Sequence, residues 1–392
     1  MAPLSNEEKD TLLSKVSHAL SDTPYACSSL VQLTNGTTNF VFRGELVHHI
    51  SDEVTGKTAS TVIVKHSLEH AALNKDLLID ASRAFYEVSM LDALKELPSG
   101  IGRIKAPRLH LFIRDANIQV LEDFPATVDL KSLFVSPNAN SILTPPVAAS
   151  IGHDIGSWLR SFHDWSMSPN GRLKYIGDNE PMRKLKYTIT YDAYLKVLEN
   201  HFPDLLEDHR PLLEQVRNMA AEGFEKVSEG LDWGLIHGDF WTGNILLPRD
   251  MSPSGTQHSG SVKLSIIDWE FVQFGHRAYD IGQMIGDIYE RGHFTGAEGA
   301  IPAIEGFIKG YGGLDSDELA FRIAIHAGVH LIGWYIRRAP TAPLTFPLER
   351  VTEAMKIGRD WILKAWQKDI MYFKSSPLAL LFEEGRVGSD KS

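Results

Sequence analysis

Residues 235–247 read Leu235-Ile236-His237-Gly238-Asp239-Phe240-Trp241-Thr242-Gly243-Asn244-Ile245-Leu246-Leu247. An apolar run enters, a polar loop follows and a second apolar run leaves, so the pattern predicts strand, tight loop, strand. Asp239 and Asn244 then sit on one short loop anchored at both ends. A further apolar run, Leu264-Ser265-Ile266-Ile267, ends in Asp268-Trp269-Glu270. Two carboxylates and one amide at strand ends form an oxygen-rich set. Phosphoryl transfer needs such a set: one group to orient or deprotonate the attacking hydroxyl, and two oxygen ligands for a hard cation such as Mg²⁺.

Upstream of this centre the chain changes character. Residues 6–20 carry Leu12, Leu13, Val16 and Leu20 at helical spacing. Val31-Gln32-Leu33 and Phe40-Val41-Phe42 flank a polar turn and read as a hairpin, and Thr61-Val62-Ile63-Val64 reads as a strand ending at Lys65. Residues 76–97 read as an amphipathic helix ended by Pro98 and Gly100, followed by strands near Leu109–Ile113 and Ile118–Leu121. The Pro-, Ser- and Asn-rich segment 124–147 reads as a linker. Downstream, helices are expected at 148–165, 191–206, 211–228, 278–291, 300–310, 316–338 and 348–370. The strand before His237 is expected to pair with the one after Asn244. The sum is an α+β chain: a small sheet-rich part with one helix over residues 1–123, then a larger, mostly helical part over 124–392.

His-Gly-Asp-x-x-x-x-Asn followed by Ile-Asp-Trp-Glu resembles the catalytic pair of the aminoglycoside phosphotransferase and choline kinase superfamily, which has a protein-kinase-like two-lobe fold. The resemblance spans roughly residues 30–340 in motif order. In wording, Asp239 to Leu247 and Asp268 to Glu270 are most similar to the methylthioribose kinases and fungal 4-hydroxytryptamine kinases of that superfamily. It implies an ATP-dependent kinase using Mg²⁺, with Asp239 as base or orienter of the substrate hydroxyl. His237 would brace the loop, Asn244 and Asp268 would ligate the metal, and Glu270 would face metal-bound water or substrate. Lys65 resembles the lysine on the α- and β-phosphates, with Glu87 as its ion-pair partner. Asn35, Gly36 and Thr37 occupy the phosphate-covering position, although only one glycine is present there. Glu122 to Phe124 resemble the hinge whose backbone binds adenine.

The acceptor would lie in the helical part. Trp241 or Trp269 would wall its site, and His326, His330 and Trp334 share a helix face through i, i+4 spacing. Arg337 and Arg338 resemble a substrate-binding arginine pair. Asp280 reads as a structural anchor for the loop holding Asp268, while Gln283 and Asp287 on the same helix would border the acceptor. No Ala-Pro-Glu segment follows Asp268, which opposes a protein substrate. A catalytically silent, kinase-like nucleotide- or metabolite-binding protein is the alternative reading.

Bulk properties set the outer limits. The formal net charge of −11 opposes broad binding to nucleic acid or an acidic membrane surface. Cys27 is the only cysteine, so neither an intrachain disulfide nor a cysteine-based metal site exists. The residues after Met1 are polar, unlike a secretory signal, and no apolar run reads as a membrane span. The expectation is a cytoplasmic enzyme acting on a small-molecule hydroxyl, with no nucleic-acid or membrane partner. Oligomeric state is not legible.

Overall fold

Alternating burial along the first strands builds a five-stranded antiparallel sheet. The computed structural model describes residues 4–33, 36–51, 58–97, 104–167, 171–225, 230–251, 263–314, 316–337 and 343–383. Its chain divides into two units: Met1–Glu96 with Ala106–Ala126, and Leu97–Lys105 with Thr127–Ser392. In the first unit the sheet order is Cys27–Leu33, Phe40–Ser51, Thr58–His66, Ile118–Glu122, Leu109–Ile113. Phe40, Phe42, Val62, Val64, Ile118 and Val120 point to one face, where Leu12, Val16 and Leu20 of the helix Asn6–Leu20 cover them. That helix starts on a capping box, with Ser5 and Glu8 each satisfying the other's backbone N–H.

The helix expected over 76–97 is shorter than its pattern. Asn74–Leu78 is a strand paired with His70–Ala71, and the helix runs only Arg83–Ala93. Leu77 and Leu78 are exposed, so the apolar stripe read there was partly a strand edge. Glu87 nevertheless lies on the helix's buried face.

The segment 124–147, which belongs to the second unit from Thr127 onward, is not a linker. Thr127–Asp129 pairs with Leu246–Pro248, Asp129 caps the helix Leu130–Phe134 by accepting from the Ser132 amide at 2.8 Å, and Leu130, Leu133 and Phe134 are buried. The polar residues that suggested a linker act as caps and turns between short ordered elements. The strand Trp233–Ile236 pairs with Gln273–His276, a strand the sequence pattern did not reveal, rather than with Ile245–Pro248. Ile245–Pro248 pairs instead with Leu264–Ile266 and Thr127–Asp129. Ile104–Lys105 joins the same sheet in parallel with Leu264–Ser265, which is why 97–105 belongs to this unit.

Helices form the rest. Pro145–Ser166 and Ala300–Tyr311 cross with their backbones touching: a Cβ on Gly152 would lie 2.1 Å from the Ala303 carbonyl oxygen, and one on Gly306 2.0 Å from that of Ala149. Asp317–Arg337 is long and apolar enough to cross a membrane by length and composition, contrary to the sequence reading. With 83% of its apolar window buried inside the protein, it is a core helix. The α+β division stands: an antiparallel sheet early in the chain, helices for most of the remainder.

Candidate active site

The loop bearing Asp239 is held by its backbone. Gly238 has φ +78°, and a Cβ there would sit 2.1 Å from the Phe271 carbonyl oxygen, so no other residue fits. Asp280, fully buried on the helix Ala278–Thr295, accepts from the amides of His237 at 2.8 Å and Gly238 at 2.9 Å. His163 reaches the same carboxylate through Nε2 at 3.2 Å and contacts the Tyr311 hydroxyl through Nδ1 at 2.9 Å. Burial pushes the Asp280 carboxyl upward, but His163, His237 and the amide donors outweigh it and hold it below the usual range. Asp280 thus anchors the Asp239 loop, not directly the Asp268 loop as its sequence position suggested.

His237 links the two motif loops. Its Nδ1 lies 3.3 Å from the Asp239 amide and its Nε2 3.0 Å from the Ile267 carbonyl, the residue before Asp268. An amide must donate and a carbonyl must accept, so Nδ1 is the acceptor and Nε2 carries the proton. Burial keeps the ring neutral by pushing its pKa down. Trp158, Phe162, Phe240 and Trp269 pack beneath; Trp269 is fully buried core and walls no open site.

The Asp239 side chain is surrounded by donors. Oδ2 accepts from Trp241 Nε1 at 3.1 Å and Asn244 Nδ2 at 3.3 Å, while Oδ1 accepts from Gln283 Nε2 at 2.7 Å. The Asn244 amide also donates to the Asp239 carbonyl at 2.9 Å, which turns its Oδ1 away as an acceptor. Ile267 donates its amide to the Asn244 carbonyl at 3.0 Å, so Asp268 follows immediately beside Asn244. Asp268 holds φ +67°, a left-handed conformation uncommon for a carboxylate residue. Trp241 is half-buried, with the Lys131 ammonium 5.3 Å from its ring centroid. Glu270 is buried beneath this loop, and its backbone carbonyl accepts from Asn179 at 3.0 Å.

One residue in this constellation had no signal in the sequence. Lys186, at the end of the helix Glu180–Tyr187, is 2% exposed, donates to Gln283 Oε1 at 2.6 Å and stands 3.8 Å from Asp239 Oδ1.

Further along the helix Ala278–Thr295 lies an ionic cluster. Asp287 accepts from the Thr242 amide at 3.2 Å and from the Thr242 hydroxyl, and its other oxygen is 2.8 Å from Arg291. Glu290, also fully buried, has Arg291 at 3.0 Å and Arg337 at 3.6 Å. Asp287, Glu290 and His330 bring ligand-type atoms within 4.8 Å of one another. Two guanidiniums already supply the positive charge there. Arg337 lies 2.9 and 3.0 Å from the two His330 ring nitrogens, and burial followed by Arg337 drives that ring's pKa down to about 3.

The face predicted for the acceptor is therefore divided. His326 is fully buried against Tyr191, whose hydroxyl is 3.1 Å from Nδ1, and borders no open site. His330 belongs to the ionic cluster. Trp334 stacks on Phe294 at 4.5 Å, and Arg337 turns its guanidinium toward acidic groups. Arg338 lies outside the described residues.

In the first unit, Lys65 Nζ and Glu87 Oε2 are 2.7 Å apart and both buried. Gly36 and the exposed Thr37 open the turn after the first strand; Asn35 lies outside the described residues. Asn39 closes that turn, accepting from Ser67 at 2.8 Å and from the buried Arg83 at 3.0 Å. Glu122 accepts from the Arg108 amide at 3.3 Å, Asp123 is held by Arg43 and Thr61, and Phe124 is half-buried.

The sequence model of the phosphotransferase enzyme family (APH) matches residues 78–322. The chain belongs to this family. Phosphotransferase FrzJ of a Cladobotryum species is 29% identical over 386 residues, covering 93% of this chain and 94% of that protein. A 4-hydroxytryptamine kinase of Psilocybe cubensis is 22% identical, covering 78% and 80%. A choline/ethanolamine kinase family protein from Mesorhizobium loti shares the fold, with a TM-score of 0.50 at 15% identity over 95% of this chain and 99% of that one. Within this phosphotransferase, sequence reasoning passed over Lys186, Thr242 and Arg83. Each acts through a partner distant in sequence, so no local pattern marks it.

Proposed function

We propose that the chain transfers the γ-phosphoryl group of ATP to a hydroxyl of a small molecule, a sugar or a hydroxylated amine. The observation that carries this reading is the Asp239 carboxylate, clamped by N–H donors on both oxygens beside the Asn244–Asp268 pair. Its remaining acceptor capacity suits it to orient an attacking hydroxyl and receive its proton. Asn244 Oδ1 and the Asp268 carboxylate are oxygen donors on adjoining loops, and such a set fits Mg²⁺ rather than a softer metal. Bound there, Mg²⁺ would neutralise phosphate charge.

In the first unit Lys65, fixed by Glu87, would contact nucleotide phosphates. Gly36 and Thr37 would cover them, and the backbone of Glu122 to Phe124 would receive the adenine. Similarity to a 4-hydroxytryptamine kinase supports a hydroxylated aryl amine as the first acceptor to try.

The test is Mg²⁺-dependent ADP release from purified protein against methylthioribose, hydroxylated tryptamines, choline-like amines, ketosamines and aminoglycosides. Release with one class, matched by phosphorylated acceptor, supports the reading. Binding of ATP with silence across every class and no hydrolysis would favour a nucleotide-binding protein without turnover.

A further inference from the structure

Lys186 is a buried ammonium whose closest partner is an amide. Its Nζ donates to Gln283 Oε1 at 2.6 Å, and the nearest carboxylate oxygen, Asp239 Oδ1, is 3.8 Å away. Burial pushes its pKa down, and the charges of Asp239 and Asp280 oppose that shift. A buried charge whose ionic partner stands off at 3.8 Å recovers little of its desolvation cost. For packing alone, an apolar side chain would serve better at this position.

The amide between them has only one possible orientation. Lysine has donors and no acceptor, so Gln283 must turn Oε1 toward Lys186 and Nε2 toward Asp239. That leaves Gln283 donating to Asp239 Oδ1 at 2.7 Å, while Trp241 and Asn244 donate to Oδ2. The carboxylate cannot rotate without breaking a hydrogen bond. The three elements are independent in sequence: the end of the helix Glu180–Tyr187, the helix Ala278–Thr295 and the His237–Asn244 loop. A π-helical turn over Thr188–Asp192 begins just after Tyr187, the kind of helix irregularity that often accompanies functional sites.

We propose that Lys186 is a positioning residue for phosphoryl transfer, acting through Gln283 to fix and electrostatically support Asp239. The proposal rests on the function proposed above. In the reaction, the acceptor oxygen bonds to the γ-phosphorus as the bond to the ADP oxygen breaks. ADP leaves with that electron pair, and the hydroxyl proton passes to Asp239. Lys186 exchanges no proton; it keeps the Gln283 amide turned and places a positive charge behind the carboxylate.

The test is a double-mutant cycle with Lys186→Met and Gln283→Leu, read by kcat, by KM for ATP and by thermal melting. Lys186→Met should lower kcat about 10- to 100-fold, below the about 100- to 10,000-fold of a proton-transfer group itself, because it acts through Gln283. Its KM for ATP should change less than about twofold, and its stability should fall by no more than the cost of one unsatisfied buried amide oxygen. The double variant should be no slower than Gln283→Leu alone, because one path is cut twice. Lys186→Gln, which can still donate to Gln283 without charge, should fall between wild type and Lys186→Met, and it replaces Lys186→Met if that variant does not fold. Wild-type kcat in Lys186→Met, fully additive losses, or a kcat loss accompanied by a larger fall in stability would overturn the proposal. A crystal structure of Lys186→Met gives a readout without turnover: Asp239 released from Gln283 supports the proposal and an unmoved pair contradicts it. An inactive wild type in which that pair is released in the variant would count against the proposed activity, not against the positioning.

Discussion

Each unit of this protein buries a lysine, and the two are held in opposite ways. Lys65 in the first unit meets the Glu87 carboxylate at 2.7 Å, so its charge is neutralised on the spot. Lys186 in the second unit meets a neutral amide at 2.6 Å, and its charge is directed at a carboxylate 3.8 Å away. A buried ion pair loses most when one partner is removed, whereas Lys186 spreads its contacts between the Gln283 amide and a carboxylate at longer range. The two arrangements should therefore separate by how much stability their disruption costs.

The largest stability effect should come from Glu87→Gln. It removes the carboxylate that lies 2.7 Å from the buried Lys65 ammonium and should lower stability by about 3 to 5 kcal/mol, read by denaturant melting. Lys186→Met should lose less, about 1 to 3 kcal/mol for the unsatisfied Gln283 oxygen; equal losses in both would erase the distinction.

Asp280→Asn comes next. One buried carboxylate serves two amides and a histidine, and an asparagine supplies only one acceptor oxygen. A loss of about 2 to 3 kcal/mol is expected from unsatisfied buried donors, together with a fall in kcat as the Asp239 loop loosens. Retained kcat would mean that strand pairing alone holds the loop.

The smallest effect involves a buried acid rather than a base. Burial lifts the Glu290 carboxyl to about 7, against the pull of Arg291 and Arg337. Between its ordinary value and about 7, the folded protein keeps a proton that the unfolded chain releases. The contribution is complete below the ordinary carboxylate range and is lost as pH rises through about 7. Glu290→Gln should match wild type near pH 4 and exceed it by about 1 to 3 kcal/mol at pH 8. A stability difference that does not change with pH would place the ionised form of Glu290 in the folded protein throughout.

The two lysines also differ in how visible they are in the sequence. Lys65 ends a β-branched strand and Glu87 lies in the next helix, and that order reveals them because both elements are local. The loops of Asp239 and Asp268 are legible for the same reason: apolar runs flank them directly. Lys186 sits in Arg183-Lys184-Leu185-Lys186, where nothing separates an exposed lysine from a buried one until Gln283 is brought against it. The partner of the strand Trp233–Ile236 was likewise set by pairing across 36 or more residues, not by neighbouring turns. His326 shows the converse: its i, i+4 alignment with His330 was real, but tertiary packing against Tyr191 and Tyr279 closed it off from any ligand.

The most direct measurement is single-turnover phosphoryl transfer from ATP by wild type and Asp239→Asn, with ATP affinity measured on both proteins. Transfer slowed about 1,000-fold or more, with ATP affinity unchanged, is the expected result. Equal transfer by both proteins would contradict the account.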